Sequence, residues 1–314
     1  MSPLAENPGS AVVAAVIGLG SMGLGMARSM KRAGLDVIGY DITPAAVDRF
    51  IAEGGRGAAT PADAAKGADI VVSVVVNGAQ TEAVLFGPEG VAHAMKAGAV
   101  FISSATMDPA IARNLAQRVE ALGLHYLDAP ISGGAAKAAQ GALTIMASGS
   151  RQAFDTARPG LEAMAGKVYE LGDAAGKGAA FKMINQLLAG VHIAAACEAI
   201  TFAAKQGLDL DKVYEVITAS AGNSWMFENR VPHVLAGDYT PLSSIEIFVK
   251  DLGIVQDMAR SERYPVPLAA AALQMYLAAA GAGMGRDDDS SLARLYAQLS
   301  GAELPSSAKE PQSL

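Results

Sequence analysis

Three glycines near the start of the chain have the spacing of a dinucleotide-binding loop. Gly18, Gly20 and Gly23 directly follow an apolar run, and a helical pattern begins after them. The first glycine permits a tight turn, the second lets the backbone approach a pyrophosphate, and the third allows the helix to pack closely on the strand. Amide donors at the N-terminus of that helix favour phosphate groups. The predicted dinucleotide contacts are therefore Gly18, Leu19, Gly20, Ser21, Met22 and Gly23.

An acidic residue at the end of the next apolar run indicates which dinucleotide is bound. Asp41 follows Gly18 by 23 positions, close to the about 20 expected for the acid that accepts hydrogen bonds from the adenosine ribose. Its carboxylate would repel a 2′-phosphate, and the following Ile42 and Thr43 offer no arginine to receive one. We therefore expect NAD rather than NADP as the cofactor.

Lys182 and Asn185 are candidates for proton transfer and for substrate positioning. They are three residues apart in a long helical pattern, so they share one face of the helix. That helix would emerge beside the carboxyl end of a parallel sheet, where open α/β sheets bind ligands. Spacing alone is equally consistent with a solvated lysine and an asparagine near a helix start.

Two further segments carry polar groups in patterns that suit a ligand. The segment from Asp128 to Gly134, Asp-Ala-Pro-Ile-Ser-Gly-Gly, follows a predicted strand, and the Ser132 hydroxyl with the Gly133 and Gly134 amides could cradle a carboxylate. A polar turn is the alternative, because Gly-Gly after proline is typical of turns. The Lys250-Asp251 pair, on charge pattern alone, is typical of a wet helix surface.

The elements that must position these residues fall into two halves. From residue 12 to residue 169, short β-type runs alternate with helical patterns, which indicates an α/β fold with a doubly wound, mainly parallel Rossmann-type sheet. A helix is expected at residues 109–122, with Asp108 as its N-cap. Strands are expected at residues 12–17, 35–40, 70–76, 100–103, 125–129, 143–147 and 168–171.

The second half has helical patterns only. Residues 181–206 form one long helical pattern without proline, so we expect a long interdomain helix leading into an all-α domain. The predicted domains are 1–175 for dinucleotide binding, with 1–10 flexible, and 176–314 for substrate binding and oligomerisation, with 305–314 flexible. Small apolar residues on several sides of the long helix predict deep burial, and hence a homodimer or homotetramer.

Composition excludes several classes of protein. The chain has 314 residues, enough for about two domains, and a net charge of −7 without a basic stripe, which argues against nucleic acid and anionic membranes as partners. No uninterrupted apolar run reaches the about 18 residues that a membrane span needs. The single cysteine and the absence of a signal-peptide pattern favour the cytoplasm. Four histidines without metal-ligand spacing predict no catalytic metal.

Several other residues of types that often take part in catalysis or binding are predicted to have structural roles instead. His192, on the long helix, is predicted to be a hydrogen-bonded histidine of the core. Trp225 and Phe227 have a spacing typical of core aromatics, with lining of a substrate pocket as the alternative. The acidic run 287–289 is predicted to begin the last helix in solvent.

The four ligand-type segments, in this order, resemble the β-hydroxyacid dehydrogenase family, which includes 3-hydroxyisobutyrate, tartronate semialdehyde and 6-phosphogluconate enzymes. The match covers about residues 12–300. The resemblance implies that Lys182 is the catalytic base, which requires a pKa well below the ordinary lysine range. Asn185, on the same face of the helix as Lys182, is then expected to hydrogen-bond the substrate hydroxyls and orient C2. The remaining implied contacts are Ser132, Gly133 and Gly134 with substrate, and Thr106 and Lys250 with the cofactor.

Four more segments are similar to a branch of this family that oxidises the C2 hydroxyl of a four-carbon sugar acid with NAD. They are residues 75–80, 134–139, 186–193 and 221–230. Val76 replaces a proline common in the family, and Lys137 stands where glycine is frequent. By this resemblance Val75, Val76 and Gln80 contact the cofactor. Lys137 either binds the substrate or is a surface lysine.

Two other functions stay open on the sequence. One is another hydroxyacid dehydrogenase of the same family, of the 3-hydroxyisobutyrate, tartronate semialdehyde or glyoxylate type. The other is a non-catalytic NAD-binding sensor, which would keep the glycine loop but need not keep Lys182, Asn185 and Ser132. The presence of all three favours an enzyme with a small-molecule sugar acid as its substrate.

Overall fold

The computed structural model describes residues 12–306 and divides into two compact units, Met1–Lys182 (unit 1) and Met183–Leu314 (unit 2). The division falls inside the long helix. The domain boundary expected at 175/176 stays a prediction. The flexible ends expected at 1–10 and 305–314 lie outside the described residues, apart from Pro305 and Ser306.

Unit 1 is built on a six-stranded sheet in which every neighbouring pair of strands is parallel. The spatial order is β3-β2-β1-β4-β5-β6, so the direction of winding reverses between β1 and β4. This reversal is the switch point at which such sheets bind ligands. The strands are β1 (Val13–Ile17), β2 (Asp36–Tyr40), β3 (Arg56–Gly57), β4 (Ile70–Ser73), β5 (Val100–Ser103) and β6 (His125–Asp128).

Helices cover both faces of this sheet. Two clusters of buried apolar residues form, one on each side of strands whose own side chains are completely buried. The predicted doubly wound fold is therefore confirmed. The helices of unit 1 are α1 (Gly23–Arg32), α2 (Pro44–Ala52), α3 (Pro61–Ala65), α4 (Gly78–Phe86), α5 (Pro109–Glu120), α6 (Gly134–Gln140) and α7 (Arg151–Met164).

Three expected strands of unit 1, at 143–147, 168–171 and 70–76, differ in the structure. The segment 143–147 does not join the large sheet but forms the centre of a second, three-stranded sheet of β7 (Ile131–Ser132), β8 (Leu143–Ala147) and β9 (Ala165–Glu170). β4 ends at Ser73, three residues before the predicted end. The chain turns there because Asn77 caps the next helix, accepting a hydrogen bond from the Gln80 amide at 2.9 Å.

The described part of unit 2 is helical, as predicted. α8 (Lys177–Lys205) begins in unit 1 and continues into unit 2, and one buried apolar cluster forms the core of unit 2. A π-helical turn at Ala280–Met284 and a 3₁₀ turn at Asp289–Ser291 precede the last helix. The other helices are α9 (Leu210–Thr218), α10 (Trp225–Ala236), α11 (Ile245–Ser261), α12 (Pro267–Ala279) and α13 (Leu292–Ser300).

Within this chain α8 is buried on one face only, so the deep burial expected on several sides would need a second copy of the chain and stays a prediction. Gly190 packs against Phe248 and Leu252 of α11, and its carbonyl accepts a hydrogen bond from the Tyr276 hydroxyl. The opposite face is exposed, and His192 lies on it rather than in the core. By length and composition α8 and Pro267–Met284 could each cross a membrane, a weak indication because core helices pass the same test.

The acidic run 287–289 was expected in solvent, and this prediction is wrong for two of its residues. Asp288 and Asp289 are completely buried. Asp288 accepts hydrogen bonds from the Ser290 amide and hydroxyl, and Asp289 forms a two-pronged ion pair with Arg230. Burial is possible because a distant arginine supplies the opposite charge.

The two aromatic residues at the start of α10 have different environments. Phe227 is buried and stacks on Tyr214 with ring centroids 6.1 Å apart, whereas Trp225 is exposed. Phe227 is therefore a core residue, as predicted, and Trp225 is not.

Candidate active site

The glycine loop after β1 has the shape that a bound pyrophosphate requires. Gly18 has a positive φ of 99°, and a Cβ there would overlap the carbonyl oxygen of Val74, while a Cβ at Gly23 would overlap the carbonyl oxygen of Gly18. Among residues 12–306, no heavy atom beyond the two chain neighbours lies within 4 Å of a Cβ placed on Gly20. Two glycines are thus required by the fold, and the third leaves open space for a ligand. α1 begins at Gly23 without a side-chain cap, which leaves amide donors for phosphate oxygens.

Asp41 directly follows β2 and lies beside the glycine loop. Its Oδ2 accepts a hydrogen bond from the Leu19 amide at 2.7 Å, and its Oδ1 accepts one from the Thr43 amide at 2.8 Å. A carboxylate has further acceptor positions, so it can still receive ribose hydroxyls. The residues present therefore fit NAD, with the loop for the pyrophosphate and Asp41 for the adenosine ribose.

The other predicted cofactor residues lie after neighbouring strands of the same sheet. Val75 and Val76 follow β4, and Thr106 follows β5. Gln80, in the first turn of α4, accepts a hydrogen bond from the Val76 amide through its side-chain oxygen at 2.8 Å. Because β1, β4 and β5 are adjacent and parallel, their carboxyl ends bring these loops to one edge of the sheet.

The predicted carboxylate cradle is a short loop between β7 and α6. Ser132 ends β7, and Gly133 and Gly134 have φ values of 134° and 74°, which favour glycine. The aliphatic part of the Lys137 side chain lies against Gly133, although Lys137 as a whole is exposed. The structure thus brings Ser132, both glycines and Lys137 together within unit 1.

Lys182 is buried, with 8% of its surface exposed, and lies in the second turn of α8. Most of this side chain is therefore removed from water. Asn185 follows one turn later and is half-buried. Both predicted residues therefore lie on one continuous helix, as expected from their spacing.

A hydrogen-bonded network in unit 2 was missed at the sequence level. The Asn185 amide donates to Gln186 at 3.0 Å, Gln186 donates to Asp251 Oδ2 at 2.5 Å, and the Lys250 ammonium lies 2.8 Å from Asp251 Oδ1. Asp251 is 1% exposed, so its interpretation as a wet helix surface is wrong. The spacing of Phe248, Leu252 and Val255 could have indicated this, because it places Asp251 on the buried face of α11.

Family models match both halves of the chain. Residues 13–172 match the NAD binding domain of 6-phosphogluconate dehydrogenase, and residues 176–296 match the NAD-binding domain of NADP-dependent 3-hydroxyisobutyrate dehydrogenase. The chain belongs to the β-hydroxyacid dehydrogenase family. The predicted enzyme class and the NAD cofactor are confirmed, and discrimination against NADP stays a prediction.

Several relatives are similar over almost the whole chain. The L-threonate dehydrogenase of Cupriavidus necator is 53% identical over 294 residues, covering 94% of this chain and 98% of the relative. The enzyme of the same name from Haemophilus influenzae is 51% identical, covering 93% and 96%. A crystal structure described as 3-hydroxyisobutyrate dehydrogenase from Salmonella typhimurium is 51% identical, with a TM-score of 0.86, and covers 90% of this chain and 99% of that one.

Proposed function

We propose that this enzyme oxidises the C2 hydroxyl of L-threonate to give 2-dehydro-L-erythronate, with reduction of NAD. The observation that carries the proposal is Lys182, a buried lysine on the same helix as Asn185. The names of the two L-threonate dehydrogenases, each more than 50% identical, support the choice of substrate.

Each predicted residue has a specific role in this proposal. NAD, when bound, supplies the hydride acceptor for the hydrogen on C2. Lys182 accepts the proton of the C2 hydroxyl, so that the alcohol carbon becomes a carbonyl. Asn185 hydrogen-bonds the substrate hydroxyls and orients C2. The role of Lys250 near the nicotinamide rests on the family resemblance.

The substrate carboxylate is assigned to the loop between β7 and α6. The Ser132 hydroxyl and the Gly133 and Gly134 amides can donate hydrogen bonds to it, because the positive φ values of both glycines turn the backbone away from a strand conformation. The exposed ammonium of Lys137 can supplement this charge or reach a distal hydroxyl of a four-carbon acid.

The test measures NADH formation at 340 nm with L-threonate, D-erythronate, 3-hydroxyisobutyrate and glycerate. We expect kcat/KM to be highest for L-threonate. We also expect Lys182→Ala to lower kcat by about 10²- to 10⁴-fold, with the Kd for NAD unchanged. Near-normal turnover of Lys182→Ala would contradict the role of the lysine, and a clear preference for another acid would contradict the substrate.

A second candidate substrate is 3-hydroxyisobutyrate, favoured by the description of the 51% identical Salmonella structure. This acid has a methyl group on C2 and a single hydroxyl, on C3, whereas L-threonate has hydroxyls on C2, C3 and C4, so a site built for 3-hydroxyisobutyrate would need fewer polar partners. The same substrate panel separates the two. The Lys137→Ala variant gives a second comparison between the two acids. Loss of a contact to a distal hydroxyl would raise KM for L-threonate and leave KM for 3-hydroxyisobutyrate unchanged.

We further propose that the exposed face of α8 in unit 2 is covered by a second copy of the chain. Ile184, Leu188 and Phe202 are 60%, 49% and 66% exposed, and steps of three and four residues join them through His192, Ala195 and Ala199. This face is about 30 Å long and 10 Å wide, so it is much larger than one exposed side chain. It can supply part of the about 800 Å² that each partner buries in a stable interface.

Light scattering after size-exclusion chromatography tests this surface. We expect a dimer or tetramer for the wild type and a smaller species for Leu188→Glu. The matched control is Leu299→Glu, since Leu299 is 70% exposed but lies outside α8. A monomeric wild type, or equal effects of the two changes, would contradict the proposal. The cytoplasmic location and the exclusion of nucleic acid and membranes stay predictions.

A further inference from the structure

The start of the helix that carries Lys182 is held by two buried side chains from other elements. Asp128, the last residue of β6, accepts hydrogen bonds through Oδ2 from the Gly176 amide at 2.8 Å and the Ala179 amide at 2.9 Å. The Ser148 hydroxyl, directly after β8, accepts one from the Gly178 amide at 2.9 Å. Amides that a helix start ordinarily leaves to water are thus bound by side chains from elsewhere in the fold.

These two residues are also fixed to each other. The Asp128 amide donates to the Ser148 carbonyl at 3.0 Å, and the Ser148 amide donates to the Asp128 carbonyl at 2.8 Å. The Ser148 hydroxyl also lies 3.3 Å from Asp128 Oδ2. This bridge joins the end of the large sheet to the end of the small one, so the support of α8 rests on both sheets.

The main chain of the helix start lies close against this support. A Cβ at Gly178 would overlap the carbonyl oxygens of Met146 and Asp128. Asp128 is 1% exposed, and its Oδ1 has no hydrogen-bond partner among the described residues, so Oδ2 carries the contacts to the helix. Burial raises the pKa of the Asp128 carboxyl, while the Ala179 and Gly176 amides act in the opposite direction.

Asp128 also lies close in sequence to the proposed carboxylate cradle. Ser132 is four residues further on, in the strand that pairs with β8. On the other side, Lys182 is three residues after Ala179, about one helical turn. A single carboxylate therefore connects the loop assigned to the substrate with the helix assigned to the base.

We propose that Asp128 and Ser148 are positioning residues that set the place of Lys182 by fixing the start of α8. The inference rests on the proposed role of Lys182 as the base. A shift of α8 along its axis would move the lysine amine away from the hydroxyl that it deprotonates. Turnover is expected to suffer more than substrate binding, because proton transfer is sensitive to displacements of about 1 Å.

Two serines provide a matched pair of variants. The Ser148 hydroxyl caps α8, whereas the Ser150 hydroxyl caps α7, accepting from the Ala153 amide at 3.2 Å. We expect Ser148→Ala to lower kcat by about 10-fold with KM changed less than about 3-fold, and Ser150→Ala to change kcat less than about 2-fold. The solvent deuterium isotope effect on kcat should increase in Ser148→Ala only, because transfer of the exchangeable hydroxyl proton to Lys182 becomes slower.

Variants of Asp128 extend the series. Asp128→Asn keeps one oxygen acceptor of nearly the same shape, so we expect a smaller loss of kcat than in Asp128→Ala, for which about 100-fold is expected. The Kd for NAD should stay within about 2-fold in every folded variant, since the glycine loop lies elsewhere on the sheet. Circular dichroism and thermal melting identify any variant that does not fold. If Asp128→Ala does not fold, the kcat values of Ser148→Ala and Asp128→Asn test the positioning role.

Hydrogen exchange measured by mass spectrometry tests the support without any substrate. We expect faster exchange of residues 176–182 in Ser148→Ala and Asp128→Asn, and no change there in Ser150→Ala. If the wild type does not oxidise L-threonate, the proposed function fails while this measurement still reports on the helix start. If the wild type is active and Lys182→Ala is inactive, but Ser148→Ala and Asp128→Asn have the kcat of Ser150→Ala, the positioning role is overturned.

Discussion

The two units hold their polar groups by different means. In unit 1 the contacts involve the main chain: Gly18 lies against the Val74 carbonyl, Asp41 accepts from the Leu19 amide, and Asp128 accepts from amides at the start of α8. In unit 2 two buried carboxylates, Asp289 and Asp251, are instead bound by side chains that are distant in sequence, Arg230 and Gln186.

This difference decides what a single substitution can do. A hydrogen bond donated by a main-chain amide survives a change of that residue's side chain, so these contacts of unit 1 are sensitive mainly at the glycines and carboxylates. A buried ion pair depends on both members, and loss of one leaves an uncompensated charge. Unit 2 should therefore be sensitive to charge deletion in its core, and unit 1 to an added methyl group in its loops.

The largest expected effect is on the buried ion pair of unit 2. Arg230→Met leaves the buried Asp289 carboxylate without its guanidinium and should lower the free energy of unfolding by about 3–5 kcal/mol. Chemical denaturation followed by circular dichroism measures this. The control is Arg260→Met, which removes an exposed pair with Asp257 and should cost at most about 1 kcal/mol. Equal losses in the two variants would contradict the comparison.

The glycine loop gives a matched pair in unit 1. Gly18→Ala should lower the free energy of unfolding by about 1–3 kcal/mol or more, because the residue has a positive φ and its Cβ would overlap the Val74 carbonyl. The methyl group of Gly20→Ala has no neighbour within 4 Å in the described part of the chain apart from the adjoining residues, so this change should leave stability nearly unchanged while weakening NAD binding. Thermal melting and titration with NAD measure the two effects. A stability loss at Gly20 as large as that at Gly18 would mean that the loop is closed to a ligand.

The buried carboxylate of unit 2 should also make stability depend on pH. Burial raises the pKa of Asp289 to about 6, although Arg230 opposes the increase. Since the folded state then binds more protons than the unfolded state between about pH 4 and pH 6, the contribution of this group to stability increases as pH falls through that range.

Asp289→Asn removes this titration and provides the comparison. Relative to the variant, the wild type should gain about 1–3 kcal/mol of unfolding free energy between pH 7 and pH 4. The difference between their denaturation midpoints measures the gain. A difference that is constant over this range, or that decreases towards low pH, would show that the carboxyl group does not have a raised pKa.

The smallest expected effect concerns the half-exposed carboxylate beside the glycine loop. Asp41→Asn keeps an oxygen for the Leu19 amide but removes the charge that would repel a 2′-phosphate. The ratio of kcat/KM for NAD to that for NADP should fall by about 10-fold, which corresponds to about 1.4 kcal/mol. Asp36→Asn, which removes an exposed carboxylate five residues earlier on β2, should leave the ratio unchanged. A change of equal size in both variants would assign the preference to overall charge.

The sequence predicted unit 1 better than unit 2 for a physical reason. Glycine turns, helix caps and buried strands depend on neighbouring residues, so β1, β5, α5 and the glycine loop could be placed within a few positions. The small sheet was missed because β8 has the same local pattern as a strand of the large sheet. In unit 2, helical patterns were correct, but the exposed His192 and the buried Asp289 were not predicted, because only neighbouring helices decide which face is covered.

By itself, the sequence determined the dinucleotide loop, the position of Asp41 and the presence of Lys182 and Asn185 on one helix, because local sterics and hydrogen bonding set these features. Only the tertiary structure decided that Asp128 binds the start of α8, that Gln186 meets Asp251 and that Arg230 meets Asp289. These partners are 48, 65 and 59 positions apart. No local pattern specifies such pairs, since strand order and helix packing bring them together.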